Sequence, residues 1–332
     1  MRPRFLCAPL LAVLGLAAVA AAFVTPGAAE HLRAVVDSLR SANPSWLLIA
    51  VSGYTAAYLT SVGAWRTAIH AAGGRIGFGA ALARLGIGSV VNTVAPARVG
   101  DALKVALLTD AFDGNDRIWT AGGLYAAVAA SRAVSIATLV IAASAAGALP
   151  LWPALALVAA AAALVGLGLS PLPLRRFHRL AHAVAGPAAL ARSPRRAAKL
   201  LAWSTGTTLC RLGATTAVAV ALGLSRPLVA GLLIATALDA AGMLPLTPGN
   251  IGVAGGAVAV ALASRGVNAS HALGVAVAVQ GLETCVSLAA GAAGAAHFAG
   301  ARRVSPWVLR AAAVGGGVAF AAAGAALVVA LV

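Results

Sequence analysis

Apolar residues dominate this chain in runs of bilayer length, and polar residues gather between the runs. Phe5–Val24, Trp46–Trp65, Ile118–Ala148, Leu151–Leu169, Leu200–Leu222, His271–Phe298 and Trp307–Val332 each approach or exceed the ~20 residues a helix needs to cross a hydrocarbon core. Two further apolar runs are interrupted. Ile76–Leu108 contains Asn92-Thr-Val-Ala-Pro96-Ala-Arg98-Val-Gly100-Asp101-Ala-Leu-Lys104, and Leu228–Ala263 breaks at Pro245-Leu-Thr247-Pro248-Gly249-Asn250. A proline lacks the N–H that an unbroken helix needs and clashes with the preceding turn, so each run predicts two half-helices around a break. Glu30–Ser41, with apolar residues at 32, 35, 36 and 39, has the spacing of a short surface helix.

The placement of charge decides how the breaks are threaded. Arg2/Arg4, Arg66/Arg75, the loop cluster at 175–199 and Arg302/Arg303 fall on one side if both interrupted segments enter and return. Only Arg33, Arg40, Arg226 and Arg265 then face the other side. Running either interrupted segment straight through moves a basic cluster outside, against the positive-inside bias. The expected fold is therefore an all-α, polytopic membrane helical bundle with two re-entrant broken-helix hairpins arranged as an inverted repeat. It forms a single integral membrane domain over residues 1–332, with half-repeats 44–148 and 200–298, a basic cytoplasmic loop 171–199 and a cytoplasmic N-terminus. The first apolar run is longer than the ~7–15 residues of a signal-peptide core, which favours a retained helix over a cleaved leader.

Composition agrees. Of 332 residues, 61% are hydrophobic and 10% charged, with a mean hydropathy of +0.95, outside the range of soluble globular domains. A net charge of +16 raises nucleic acid as a partner, but seven of the 24 basic residues lie in the loop at 175–199 and others flank apolar runs. No basic platform interleaved with aromatics occurs, so orientation and attraction to anionic lipid account for the charge, with no nucleic acid.

Charges inside the apolar runs carry the candidate chemistry. Arg98, Asp101 and Lys104 fall at i, i+3 and i+6, one polar stripe along a half-helix whose positive dipole end points into the break at Pro96. With Asn92 and Gly100 they suit an anionic lipid headgroup; a membrane-interface loop would need the same residue types. At the second break, Pro248, Gly249 and Asn250 precede a half-helix whose Gly252 leaves room for close packing or for a headgroup. Two interrupted segments in corresponding places point to a transport site near the bilayer midplane. Arg132, Arg211, Asp239, Gln280 and Glu283 add intramembrane polar groups. Arg211–Asp239 and Arg132–Glu283 read equally well as static pairs or as groups working on a substrate.

Other chemistries find little support. Cys7, Cys210 and Cys285 lie in apolar segments without metal-ligand spacing, and His178/His182 stand in the basic loop without a carboxylate. Asp110, Asp113 and Asp116 do not follow calcium-loop order. There is no Gly-x4-Gly-Lys-Ser/Thr loop for a nucleotide. No metal, cofactor or catalytic residue is expected.

The ordered motifs Asn92-x3-Pro96-x-Arg98-x-Gly100-Asp101-x2-Lys104 and Leu244-Pro245-x2-Pro248-Gly249-x2-Gly252-Val253 resemble the lysylphosphatidylglycerol synthase transmembrane region, a flippase-like domain also found alone in many bacteria. The similarity runs roughly over Trp46–Phe298. It implies a bacterial inner-membrane location, two re-entrant hairpins, and translocation of an aminoacylated phospholipid or a related lipid. It also implies a polar cluster at Asn92, Arg98, Asp101 and Lys104, with Arg132 matching an arginine of the following helix. Ala254-Gly255 stand where the family commonly has Arg-Glu, Ser131 where an acidic residue often precedes the helix arginine, and Gln280 where arginine is common. The longest polar stretch, Pro171–Lys199, is too short for an aminoacyl-transferase fold. The expected function is movement of an anionic, aminoacylated or polyprenyl-phosphate-linked lipid between leaflets, without enzyme activity. The expected partners are membrane lipids and a separately encoded lipid synthase or glycosyltransferase. The alternatives are a membrane enzyme of polyprenyl-linked glycans and a non-transporting subunit of such an enzyme.

Overall fold

A computed structural model describes residues 37–94, 99–113, 117–145, 147, 149, 155, 193–242 and 251–301. Each longer regular element among them is an α-helix: α1 Pro44–Ala71, α2 Phe78–Val94, α3 Val99–Leu108, α4 Arg117–Ala145, α5 Pro194–Ala221, α6 Pro227–Ala241, α7 Ile251–Ala263 and α8 Ala269–Ala301. A 3-10 turn, Thr109–Ala111, follows α3. The expected crossings at Phe5–Val24 and Trp307–Val332 lie outside the described residues, as do Leu151–Leu169 apart from Leu155 and the loop 171–192. Of the expected surface helix over Glu30–Ser41, residues 37–40 are described and helical.

Local signals set the helix ends. Asn43 Oδ1 accepts the Ser45 N–H at 3.0 Å, a side-chain cap, and Pro44 occupies the first helical position, where an N–H is not needed. Asn268 Oδ1 caps α8 in the same way through Ser270 N–H at 2.9 Å. α1 stops where Gly73 takes φ +85° and the Gly74 N–H donates back to Ile69 O at 3.0 Å, a closure that needs a residue free to turn left-handed. The same closure ends α5 and α7, from Leu224 to Ala219 O and from Val267 to Leu262 O.

By length and composition, α1, α4 and residues Ala269–Phe298 of α8 are fit to cross a membrane. α5 equals α1 in length at 28 residues, but Arg195, Arg196, Lys199 and the hydroxyl run Ser204–Thr208 dilute its apolar character. α6 and α7 are shorter apolar helices packed on one another. Large apolar side chains point outward, Val260 at 71% exposed and Leu48 at 70% among them, which suits a surface solvated by acyl chains.

The chain divides into two compact units. The first comprises residues 1–55, 83–103 and 212–332, and the second residues 56–82 and 104–211. The first unit holds a continuous apolar core. Ala214 and Val218 of α5, with Leu222 just past its end, meet Ile234 and Leu238 of α6, Val258 and Leu262 of α7, and Val275 and Val279 of α8. These positions repeat every three or four residues, so each helix turns one stripe inward. Glycines set the closest approaches. A Cβ on Gly86 of α2 would run into Ala290 O of α8, one on Gly291 into Val90 Cγ2, and one on Gly294 would lie 2.5 Å from Ala83 O. Lipid offers no hydrophobic gain for helix association, so backbone contact and dispersion hold α2 on α8. The Arg84 guanidinium adds a stack 5.4 Å from the Phe298 ring centroid.

The second unit is joined by hydroxyls and aromatics. Ser131 and Ser204 share a hydrogen bond of 2.7 Å, Ser135 and Thr205 one of 3.2 Å, and Thr207 Oγ1 donates to Thr60 Oγ1 at 3.0 Å. These link α5 to α4 on one side and to α1 on the other. A Cβ on Gly63 would lie 2.7 Å from the Trp203 ring, and Trp65 meets Tyr125 with centroids 5.9 Å apart.

Candidate functional site

The first interrupted segment folds back on itself. Gly100 of α3 packs so closely on α2 that a Cβ there would meet Gly88 O and come within 2.5 Å of Asn92 N and Oδ1. An unbroken helix would hold residues 88 and 100 ~18 Å apart. Glycine is required at 100 by this approach. The described part of the second half-helix begins at Val99, after the expected start at Pro96, and residues 95–98 lie outside the described residues.

Close approach brings Asn92 and Asp101 together. Asn92 Nδ2 donates to Asp101 Oδ1 at 2.7 Å, and the Asp101 backbone N–H donates to Asn92 Oδ1 at 3.1 Å. Asn92 therefore presents both its donor and its acceptor to one residue across the break. Asp101 is the acidic residue in the first turn of α3, where backbone N–H groups lack intrahelical partners and negative charge is favoured. The Asn92 amide serves as a cap supplied by the neighbouring helix. Both residues are half-buried.

The outer ends of this hairpin also meet. The Arg75 N–H, ahead of α2, donates to Ala111 O at 3.1 Å, just after α3. A Cβ on Gly74 would lie 2.6 Å from the Phe112 ring, so the two strands of chain touch at the base. The second interrupted segment closes comparably at its base. His271 Nε2, after α7, lies 2.8 Å from Leu222 O, ahead of α6. Between these ends α6 and α7 pack together, and α5 presses on α6 where Thr215 Oγ1 donates to Gly231 O at 3.0 Å.

The remaining expected site residues divide. Pro96, Arg98, Pro248, Gly249 and Asn250 lie outside the described residues, and Gly252 sits in the first turn of α7. Lys104 is one turn beyond Asp101 on α3 and half-buried. Asp239 in the last turn of α6 and Gln280 and Glu283 in α8 are half-buried members of the first unit. Arg132, exposed on α4, and Arg211, half-buried on α5, belong to the second unit. Each pairing read from sequence, Arg211–Asp239 and Arg132–Glu283, takes one partner from each unit.

Ser131 stands out in the sequence only as a departure from the family pattern, and Ser135, Ser204, Thr205 and Thr207 do not stand out at all. Their signal is nonetheless periodic: 131 and 135 are four apart, and 204 and 207 three apart, on faces that meet. Among the described residues no group of three or more His, Cys, Asp or Glu is placed to hold a metal ion.

A family model described as the Lysylphosphatidylglycerol synthase TM region matches residues 10–291. No curated protein matches the chain.

Proposed function

Because the chain belongs to the lysylphosphatidylglycerol synthase transmembrane-region family, we propose that it moves an anionic or aminoacylated phospholipid, or a polyprenyl-phosphate-linked lipid, between membrane leaflets. Family and apolar helices make it an integral membrane protein. The observation that carries the proposal is the reciprocal Asn92–Asp101 clamp at the turn of a folded-back helix pair. Half-buried polar groups in a bilayer-spanning fold are costly unless they serve pairing or passage. A tip that holds its own carboxylate in place keeps the first turn of α3 and the neighbouring Lys104 at fixed positions, ready for a headgroup phosphate with Arg98.

In this reading the α2–α3 hairpin dips into the bilayer of a bacterial inner membrane from the cytoplasmic side, and the α6–α7 hairpin from the other. Support comes from the base contacts, Arg75 with Ala111 and His271 with Leu222. Headgroups pass along the polar tips while acyl or prenyl tails stay in lipid, and rocking of the hairpins alternates access. The protein acts as a transporter rather than an enzyme, on lipid supplied by a separately encoded synthase or glycosyltransferase.

The test is reconstitution of the purified chain into liposomes with fluorescent phosphatidylglycerol, read by quenching of outer-leaflet label. Wild type is expected to translocate the lipid, and Arg98→Ala and Asp101→Ala to slow it by about tenfold or more, a barrier change of at least ~1.4 kcal/mol. Translocation no faster than in empty liposomes would remove the proposal.

A further inference from the structure

At the end of the second unit where α1 stops and α5 starts, cationic side chains are held against backbone carbonyls. Arg66 Nε donates to Ile76 O at 3.2 Å, and His70 Nε2 lies 3.2 Å from the same oxygen. Arg196 Nη1, from the first turn of α5, donates to Ala71 O at 3.3 Å. Two helices thus bring two guanidinium groups and an imidazole to one short turn, residues 71–76. A guanidinium has five N–H donors, and each of these bonds uses one of them. Among the described residues no carboxylate forms an ion pair with Arg66, His70 or Arg196. Lys199 and Arg195 extend the basic surface from α5, both exposed.

Charge of this density needs a counter-charge, and its depth says which. Tryptophans lie just inward of the basic residues on two helices: Trp119 follows Arg117 at the start of α4, and Trp203 follows Lys199 by four residues on α5. They are 41% and 36% exposed. A cation outside and a partly exposed tryptophan inside mark the headgroup layer of a bilayer. The Arg75–Ala111 bond ties the turn to the segment that leads into α4, so these helix ends share that layer. Asp110 and Asp113 lie on that segment but form no ion pair with Arg66, His70 or Arg196 among the described residues, and the other anion at this depth is a lipid phosphate, which clustered Lys and Arg attract.

We propose that Arg66, His70 and Arg196 form a docking site for the headgroup of an anionic phospholipid in the adjoining leaflet. The lipid stays in its leaflet, with its phosphate taking the unused guanidinium donors and its tails lying along the exposed faces by Trp119 and Trp203. It fastens the end of α1 to the start of α5. The site shares no residue with the Asn92–Asp101 clamp and does not depend on transport.

The experiment measures thermal unfolding of the full-length chain in detergent with added dioleoylphosphatidylglycerol, dioleoylphosphatidylcholine or soluble glycerol phosphate. A ligand that binds only the folded state raises the midpoint. Phosphatidylglycerol is expected to raise it by several degrees and the other two to leave it unchanged. The rise is expected to fall by half or more in the Arg66→Gln/Arg196→Gln variant and to persist in Thr216→Val, a substitution in neither site, each taken relative to its own lipid-free midpoint. If the first variant does not fold, Arg196→Gln alone carries the same comparison. An equal rise with phosphatidylcholine, an equal rise with glycerol phosphate, or a full rise in the glutamine variant would each overturn the site.

Discussion

Asn92 and Asp101 hold each other by two hydrogen bonds across the reversal between α2 and α3, at 2.7 and 3.1 Å. The side-chain bond to a carboxylate is worth ~1.5–3 kcal/mol net, and the bond to a backbone N–H about half that. Asn92→Ala removes both and leaves the Asp101 N–H without its cap. Asp101→Asn keeps an acceptor of the same shape. The expected result is a clear drop in unfolding midpoint for Asn92→Ala and a smaller one for Asp101→Asn, measured in the same detergent. Equal losses would mean that the carboxylate charge, and not the reciprocal geometry, holds the turn.

Gly100 is where α3 comes nearest α2, and any side chain there meets Gly88 O. The backbone cannot yield as a flexible side chain would, so Gly100→Ala should separate the half-helices at a cost of ~1–3 kcal/mol, in the range of overpacked sites. Lipid translocation should fall with it. Gly122→Ala is the control, because a Cβ at Gly122 meets nothing within 4 Å. It should leave stability unchanged or slightly raised, since alanine favours a helix over glycine by ~1 kcal/mol.

The contact of α2 with α8 predicts a coupled pair. A Cβ on Gly291 collides with Val90 Cγ2, an atom that Val90→Ala removes. Gly291→Ala should therefore be more damaging alone than in the Val90→Ala background. A coupling energy of ~0.5–3 kcal/mol is the range for residues in contact. Additive effects in a double-mutant cycle of unfolding midpoints would deny the contact.

Thr215 and Thr216 are neighbours with opposite forecasts. Thr215 Oγ1 is fully buried and donates to Gly231 O at 3.0 Å. Thr216 Oγ1 is buried with no hydrogen-bond partner among the described residues. Thr215→Val orphans a carbonyl contact and should cost about 1 kcal/mol, whereas Thr216→Val deletes an unsatisfied hydroxyl and should be neutral or stabilising. Midpoints of the two variants, taken side by side, check this.

The break between α2 and α3 and the residues around it are legible from the residue types alone. A proline and charges inside an apolar run announce a reversal, and Asn92, Gly100 and Asp101 all stood out there. The partnership of Asn92 with Asp101 was not readable. Helical spacing groups Asp101 with Arg98 and Lys104 along one stripe, but a bond across a reversal joins residues nine apart that no helical period relates. The hydroxyl contacts of α5 were hidden for another reason. Ser and Thr also bond their own preceding turn, as Thr208 does to Ser204 O and Ser135 to Ser131 O, so their presence in an apolar helix needs no partner. Nor did sequence single out Gly86 or Gly291. With 37 glycines in the chain, only the touching backbones separate structural glycines from those that abundance supplies.

In the proposed topology α2 and α3 enter and leave the membrane at one face. Single cysteines replacing Gly77 and Asp113, in a chain with Cys7, Cys210 and Cys285 changed to serine, test it most directly in sealed vesicles of uniform orientation. Both positions border the base where Arg75 meets Ala111. An impermeant maleimide is expected to label both from the same side and neither from the opposite one. Labelling of the two from opposite sides would mean that the segment runs straight through the membrane and forms no re-entrant hairpin.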